Sequence, residues 1–152
     1  MARTRFTIAT EGEVALTAAT AKTVLQLVTP ANIGVAVRGL AISFDGTSGS
    51  AEPGSVELSI QTTAGTMSAV TPRHDDTRVG LTIQSAAQKT ATAEPTTTTM
   101  LRDWHVHPQT GVEFRWWLDE EIVLAGTSAT RLGVVVNMPA AVNCRARMFC
   151  EE

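Results

Sequence analysis

His105 and His107 stand two residues apart, and Asp103 lies two residues before them. On an extended strand side chains alternate between faces, so all three project from one face, as two imidazoles and a carboxylate would around a metal. His74-Asp75-Asp76 offers further ligands of the same kind. A zinc site needs three or four ligands at defined spacing, and neither Cys-x-x-Cys nor His-Glu-x-x-His accompanies these residues. The histidines therefore read as polar side chains on the exposed side of a strand, and no metal is expected. No Gly-x-Ser-x-Gly elbow singles out a serine nucleophile, and no glycine-rich loop is shaped for phosphate. The acidic run Asp119-Glu120-Glu121 reads as a solvated turn rather than an acid/base pair. These patterns point to no catalytic residue and no cofactor.

Cys144 and Cys150 share one face of the last predicted strand. Six residues at about 3.3 Å each place them roughly 20 Å apart. A disulfide needs Cα atoms within about 7 Å, so the two cannot pair, and both read as buried free thiols.

The aromatic residues carry more. Trp104, Phe114, Trp116 and Trp117 fall within two adjacent predicted strands, in a chain that is only 5% aromatic and has no tyrosine. Val112, Phe114, Trp116 and Leu118 share one parity, which places Phe114 and Trp116 in the core. Trp117 points the other way, beside Glu113 and Arg115. Tryptophan and arginine are enriched where partners bind, so Trp117 and Arg115 are candidate interface residues. Edge packing and stacking on a sugar ring remain alternatives for Trp117. The closing strand adds Arg145, Arg147 and Phe149 on the face opposite its cysteines, and these complete the candidate interface.

The elements that hold these residues follow from period-2 alternation broken by turn chemistry. Strands are expected at Arg5 to Ala9, Val14 to Ala18 and Thr23 to Val28. In Ile33 to Phe44 the apolar parity switches at Arg38-Gly39, which predicts a bulge. Val56, Leu58 and Ile60 predict a half-buried strand. Met67 to Val70 is a short strand and Pro72 to Asp76 a polar turn, while Leu81 to Ala87 is either a strand or a helical turn. Ala87 to Thr99, threonine-rich and broken by Pro95, reads as a polar loop, as does Thr47 to Gly54. Strands follow at Leu101 to His107, Val112 to Leu118 and Ile122 to Leu124. After Ala125 to Thr130, a hairpin runs from Arg131 to Glu152 around Pro139-Ala140. About eight to ten strands with long polar loops and no convincing helix predict an all-β protein, a β-sandwich of jelly-roll type. Residues 1–152 form one expected domain, with residues 1–12 as an extended N-terminal arm.

Composition narrows the class further. Charged residues make up 18% of the chain, below the usual quarter, and the net charge is −3. No basic stripe marks a nucleic-acid partner, and no apolar run is long enough for a membrane helix or a signal peptide. The cations are arginines apart from Lys22 and Lys89, a bias seen both in protein interfaces and in GC-rich genomes.

Thr23-Val24-Leu25-Gln26-Leu27, Gly39 to Gly46 (GLAISFDG), Ala51-Glu52-Pro53, Thr92-Ala93-Glu94-Pro95 and Val106-His107-Pro108 together resemble segments of small structural proteins of tailed bacteriophages. Arg131-Leu132-Gly133, Pro139-Ala140-Ala141-Val142-Asn143 and Glu151-Glu152 extend the resemblance over most of the chain. It implies a virion component made in the host cytoplasm, a capsid decoration (cement) or minor head protein that binds the major capsid protein as a homotrimer. No site residue transfers with it. A tail- or fibre-associated receptor- or glycan-binding module and a cupin-like metal enzyme are the alternatives.

Overall fold

The computed structural model describes residues 4–76, 80–126 and 130–152. The strands are β1 (Arg5–Ala9), β2 (Val14–Ala15), β3 (Lys22–Val28), β4 (Val35–Phe44), β5 (Gly54–Gln61), β6 (Thr66–Val70) and β7 (Arg73–His74). They continue as β8 (Ala86–Ala93), β9 (Thr97–Val106), β10 (Gly111–Arg115), β11 (Ile122–Leu124), β12 (Arg131–Asn137) and β13 (Asn143–Glu151). No helix occurs among the described residues. All pairings are antiparallel, in a seven-stranded sheet ordered β10-β4-β13-β1-β7 and a six-stranded sheet ordered β6-β8-β3-β12-β5-β9. In the larger sheet β11 also pairs with β4, and β2 with β13. The expected all-β sandwich is the observed architecture. Its strands exceed the expected eight to ten because β2, β7 and β11 are short edge pieces.

Alternation produces the core directly. Phe6 and Ile8 of β1, Val37, Leu40 and Ile42 of β4, and Cys144, Ala146, Met148 and Cys150 of β13 are buried on the inner face of one sheet. Leu25 and Leu27 of β3, Val56 and Leu58 of β5, and Leu132, Val134 and Val136 of β12 face them from the other. The predicted bulge is present: Phe149 pairs with Gly39 but Cys150 with Val37, so Arg38 is the extra residue. Arg38 thereby meets the buried carboxylate of Glu151, which Arg5 Nε also approaches at 3.8 Å.

Several expectations are corrected. Residues 5–9 are no free arm, because β1 is paired with β13 on one side and β7 on the other; residues 1–3 lie outside the described residues. Within Pro72 to Asp76, Arg73–His74 is strand β7, recruited by β1. Residues 80–85 form neither strand nor helix, and β8 begins only at Ala86. The Ala87 to Thr99 loop is almost all strand, because its threonines, β-branched and suited to a pleated surface, find partners in β3, β6 and β5. Leu118 is 65% exposed rather than on the core face, since β10 ends at Arg115. The segment Ala125 to Thr130 falls partly on residues 127–129, outside the described residues.

Ile60 is only half-buried, whereas Ser59 and Gln61 are buried. The burial of Ser59 and Gln61 follows from the curl of the six-stranded sheet. The connections Thr62–Gly65 (β5 to β6) and Glu94–Thr96 (β8 to β9) each join strands four places apart in the sheet order. Four flat spacings need about 19 Å. The chain reaches at most about 17 Å from Gln61 to Thr66 and about 14 Å from Ala93 to Thr97. The sheet therefore bends until its ends approach each other, and the two connections hydrogen-bond together through Thr62 N to Thr96 O (2.9 Å) and Thr96 N to Thr63 Oγ1 (2.8 Å). Beneath them lies a polar layer. Gln26 Nε2 donates to Gln61 Oε1 (2.7 Å), Gln61 Nε2 donates to Thr23 Oγ1 (3.0 Å), and Thr23 N donates to Glu94 Oε2 (2.9 Å). Gly133 makes room for this layer, because a Cβ there would overlap the Gln61 carboxamide. Gly133→Ala is expected to cost about 1–3 kcal/mol in chemical denaturation, as overpacking does. In a Gln61→Ala background that cost should fall, because the opposing group is gone. An unchanged cost in that background would show that another contact sets it.

Candidate functional site

The outer face of the seven-stranded sheet is built from the side chains that alternate with the core. Register places Arg115 (β10), Gly39 (β4), Phe149 (β13), Thr7 (β1) and Arg73 (β7) in one row. The next row holds Glu113, Ala41, Arg147 and Ala9, and the one beyond holds Gly111, Ser43 and Arg145. Four of the five predicted interface residues, Arg115, Arg145, Arg147 and Phe149, therefore share this face.

Within it, the Arg115 guanidinium carbon lies 3.2 Å from the centroid of the Phe149 ring. Gly39 beneath them is required by that stack. A Cβ there would stand 3.0 Å from Arg115 Cδ and 3.1 Å from Phe149 Cδ2, besides striking the Phe114 carbonyl. Arg115 Nε also pairs with Glu113 at 2.8 Å, and Arg145 reaches Glu13 at 3.4 Å. Pairs this exposed stabilise the fold by only about 0–1 kcal/mol. Arg147 is exposed and has no ion-pair partner among the described residues.

Trp117 sits apart, in the connection between β10 and β11, and is 81% exposed. The strand expected to run to Leu118 ends at Arg115, so, against expectation, Trp117 does not share the face of Glu113 and Arg115. Leu118 follows it, and Val123 projects outward from β11 between buried Ile122 and Leu124. Met100 and Leu101 of edge strand β9 are exposed as well. The edge of the sandwich is closed by other rings. Trp104 stacks on Phe114 at 4.5 Å and on Trp116 at 6.4 Å between centroids, and Arg102 caps Trp116 at 4.6 Å. Phe114 and Trp116 are accordingly half-buried between the sheets.

The chemical candidates do not converge. His105 is exposed on β9, and His107 lies beyond the strand's end, where its Nδ1 accepts from Gln109 N at 3.2 Å. Asp75 accepts from Thr7 Oγ1 at 2.7 Å on the far side of the larger sheet. No group of three or more His, Cys, Asp or Glu side chains could hold a metal among the described residues. Cys144 and Cys150 are free and buried, and burial pushes the Cys144 thiol up to about 12 and the Cys150 thiol up as well.

A groove of about 460 Å³ opens at one end of the sandwich, between Asp45–Ser48, Pro108 and Ala140–Asn143. Asn143 donates to Asp45 from Nδ2 and from its backbone N, each at 2.7 Å, and these bonds hold the carboxyl below its ordinary value. They tie the exit of β4 to the entry of β13. No protein-family model matches this chain, and no curated protein matches it either.

Two measurements check these assignments. A native-state value below the ordinary 3.8 means Asp45 contributes stability above that pH and loses it as pH falls through the lowered value. An acid-unfolding profile should therefore become flatter in this range for Asp45→Ala, and an unaltered profile would show that the pair does not contribute. Both thiols should resist a thiol-reactive dye at pH 8 until denaturant unfolds the chain, because the reactive species is the thiolate. Rapid labelling of the folded protein would overturn their buried placement.

Proposed function

We propose that this chain is a non-enzymatic structural protein of a virion, a capsid decoration protein that binds the major capsid protein lattice and stabilises it. The observation that carries the reading is the set Arg115, Arg145, Arg147 and Trp117, all exposed, with half-buried Phe149, on a β-sandwich. Arginine and aromatic side chains concentrate where proteins meet, and strand-borne residues hold their geometry before the partner arrives. The resemblance to small phage structural proteins points the same way and implies a homotrimer at the capsid surface.

A jelly-roll reading of the sandwich supports this. Setting aside the short pieces and the β6–β8 insertion, the sheets run β10-β4-β13-β1 and β3-β12-β5-β9. Successive strands β1, β3, β4 and β5 alternate between the sheets, as do β9, β10, β12 and β13. That alternation is the wrapping of a double Greek key, an arrangement common in viral shell proteins. The exposed Thr47–Pro53 loop, at the grooved end, supplies a polar segment able to order on a neighbouring subunit.

Trp117 also favours a second reading, a tail- or fibre-associated module that stacks the indole on a sugar ring. The two separate cleanly. Purified protein incubated with expanded capsid shells of its phage should co-sediment in hundreds of copies and raise the temperature at which the shells open. Absence from shells together with binding on a glycan panel would replace the decoration reading with the receptor-binding one.

A further inference from the structure

Six large apolar side chains are exposed among the described residues: Leu81, Met100, Leu101, Trp117, Leu118 and Val123. Four of them gather on one flank, Met100 and Leu101 on edge strand β9 and Trp117 and Leu118 in the β10–β11 connection that Arg102 joins to β9, while Val123 stands opposite Ala36 on the outer face of the larger sheet. Arg102 fastens this flank, because its Nη2 donates to Glu120 O at 2.6 Å while its guanidinium covers Trp116. β9 is paired on one side only among the described residues, and Thr97 to Leu101 are consecutively exposed. No charge occurs from Pro95 to Leu101, although exposed edges are ordinarily guarded by charges. Exposed apolar side chains beside an uncharged sheet edge mark a contact surface.

The rim of the flank is acidic. Asp119 and Glu120, both exposed, and Glu121 follow Trp117-Leu118 directly, and Asp119 holds its turn with φ 73°. The complementary surface is present on the same molecule. Arg145 and Arg147 project from the outer face of the seven-stranded sheet beside the Phe149 ring, and Arg147 is without an ion-pair partner among the described residues. We infer that the Trp117–Glu121 knob of one copy docks on the Arg145/Arg147/Phe149 face of a second copy. Two different patches meeting head to tail make a heterologous contact, which closes into a ring or grows as a filament. Where the rotation between successive copies closes, a small ring results. The two-fold alternative, flank against flank, would bring the two acidic rims together and is disfavoured by like-charge repulsion.

This inference deepens the assembly reading and rests on the same side chains, but it is tested without a capsid. Light scattering of the purified full chain, over a range from micromolar to near-millimolar, should give a mass that is a small multiple of the monomer. Trp117→Ala with Leu118→Ser removes the knob, and Arg145→Glu with Arg147→Glu removes the face. Each variant should be monomeric, with association weakened at least tenfold and the melting transition retained, since all four positions are exposed. An equimolar mixture of the two variants retains one intact knob and one intact face, so it should form a dimer and nothing larger. Arg147→Ser replaces the double arginine variant if the latter loses its melting transition. A wild-type chain that stays monomeric throughout, or a mixture that stays monomeric, overturns the inference. A chain that self-associates yet leaves shells uncoated would sink the decoration reading alone.

Discussion

The six-stranded sheet cannot be flat, and much of the molecule follows from that constraint. Two connections of three and four residues join strands that lie four places apart, so the sheet curls until they can close. Curling brings Thr63 and Glu94 onto β3, where Gln26 Nε2 donates to Thr63 O and Thr23 N to Glu94 Oε2. Buried polar groups require partners, and Gln26, Gln61 and Thr23 provide them in a chain of hydrogen bonds. Gly133 leaves the volume in which that chain fits. A sandwich with an all-apolar interior would not need these residues, and their types reflect how the sheet is closed.

β13 couples the core to the contact surface. Its inner residues Cys144, Ala146, Met148 and Cys150 fill the space between the sheets, and its outer residues Arg145, Arg147 and Phe149 form the exposed face. Because β13 is paired with β4 along one side and with β1 and β2 along the other, its outer side chains sit on a backbone that is hydrogen-bonded on both edges. A partner meeting that face encounters groups whose positions are already set, so little ordering entropy is lost on contact. The bulge at Arg38 belongs to the same arrangement. It restores the apolar parity of β4 and delivers a guanidinium to the buried Glu151 carboxylate.

Legibility from sequence followed the range of the interactions. The parity switch at Arg38-Gly39 could be read because both halves of β4 bury their apolar residues against the same core, so the pattern within ten residues records the bulge. Trp116 and Trp117 lie beyond the last paired residue of β10, so strand parity did not fix them, and Trp116 is half-buried rather than core. Ile60 misled because its burial depends on β9, which carries extra residues opposite Leu58 to Gln61 and shifts the register there. The threonine-rich stretch looked like a loop because hydroxyl-bearing residues are common in loops, yet its β-branched side chains pair wherever a neighbouring strand is offered. Leu118 matched the core parity of β10 but lies beyond the last paired residue, and no local signal marks where pairing stops.

Alternation, turn chemistry and the scarcity of helix-period patterning determined by themselves that this chain is a β-sandwich, which side of β13 is core, and that Arg145, Arg147 and Phe149 lie on its other side. These properties are local, since the orientation of a side chain on a strand depends only on its parity. Tertiary structure alone decided that four of the five predicted interface residues share one face, that Trp117 and Leu118 come to lie beside β9, and that Gln26 and Gln61 are buried. Those outcomes depend on which strands become neighbours and how far the sheet must bend. Both are set by chain connectivity and packing between segments distant in sequence, which no short window of residues contains.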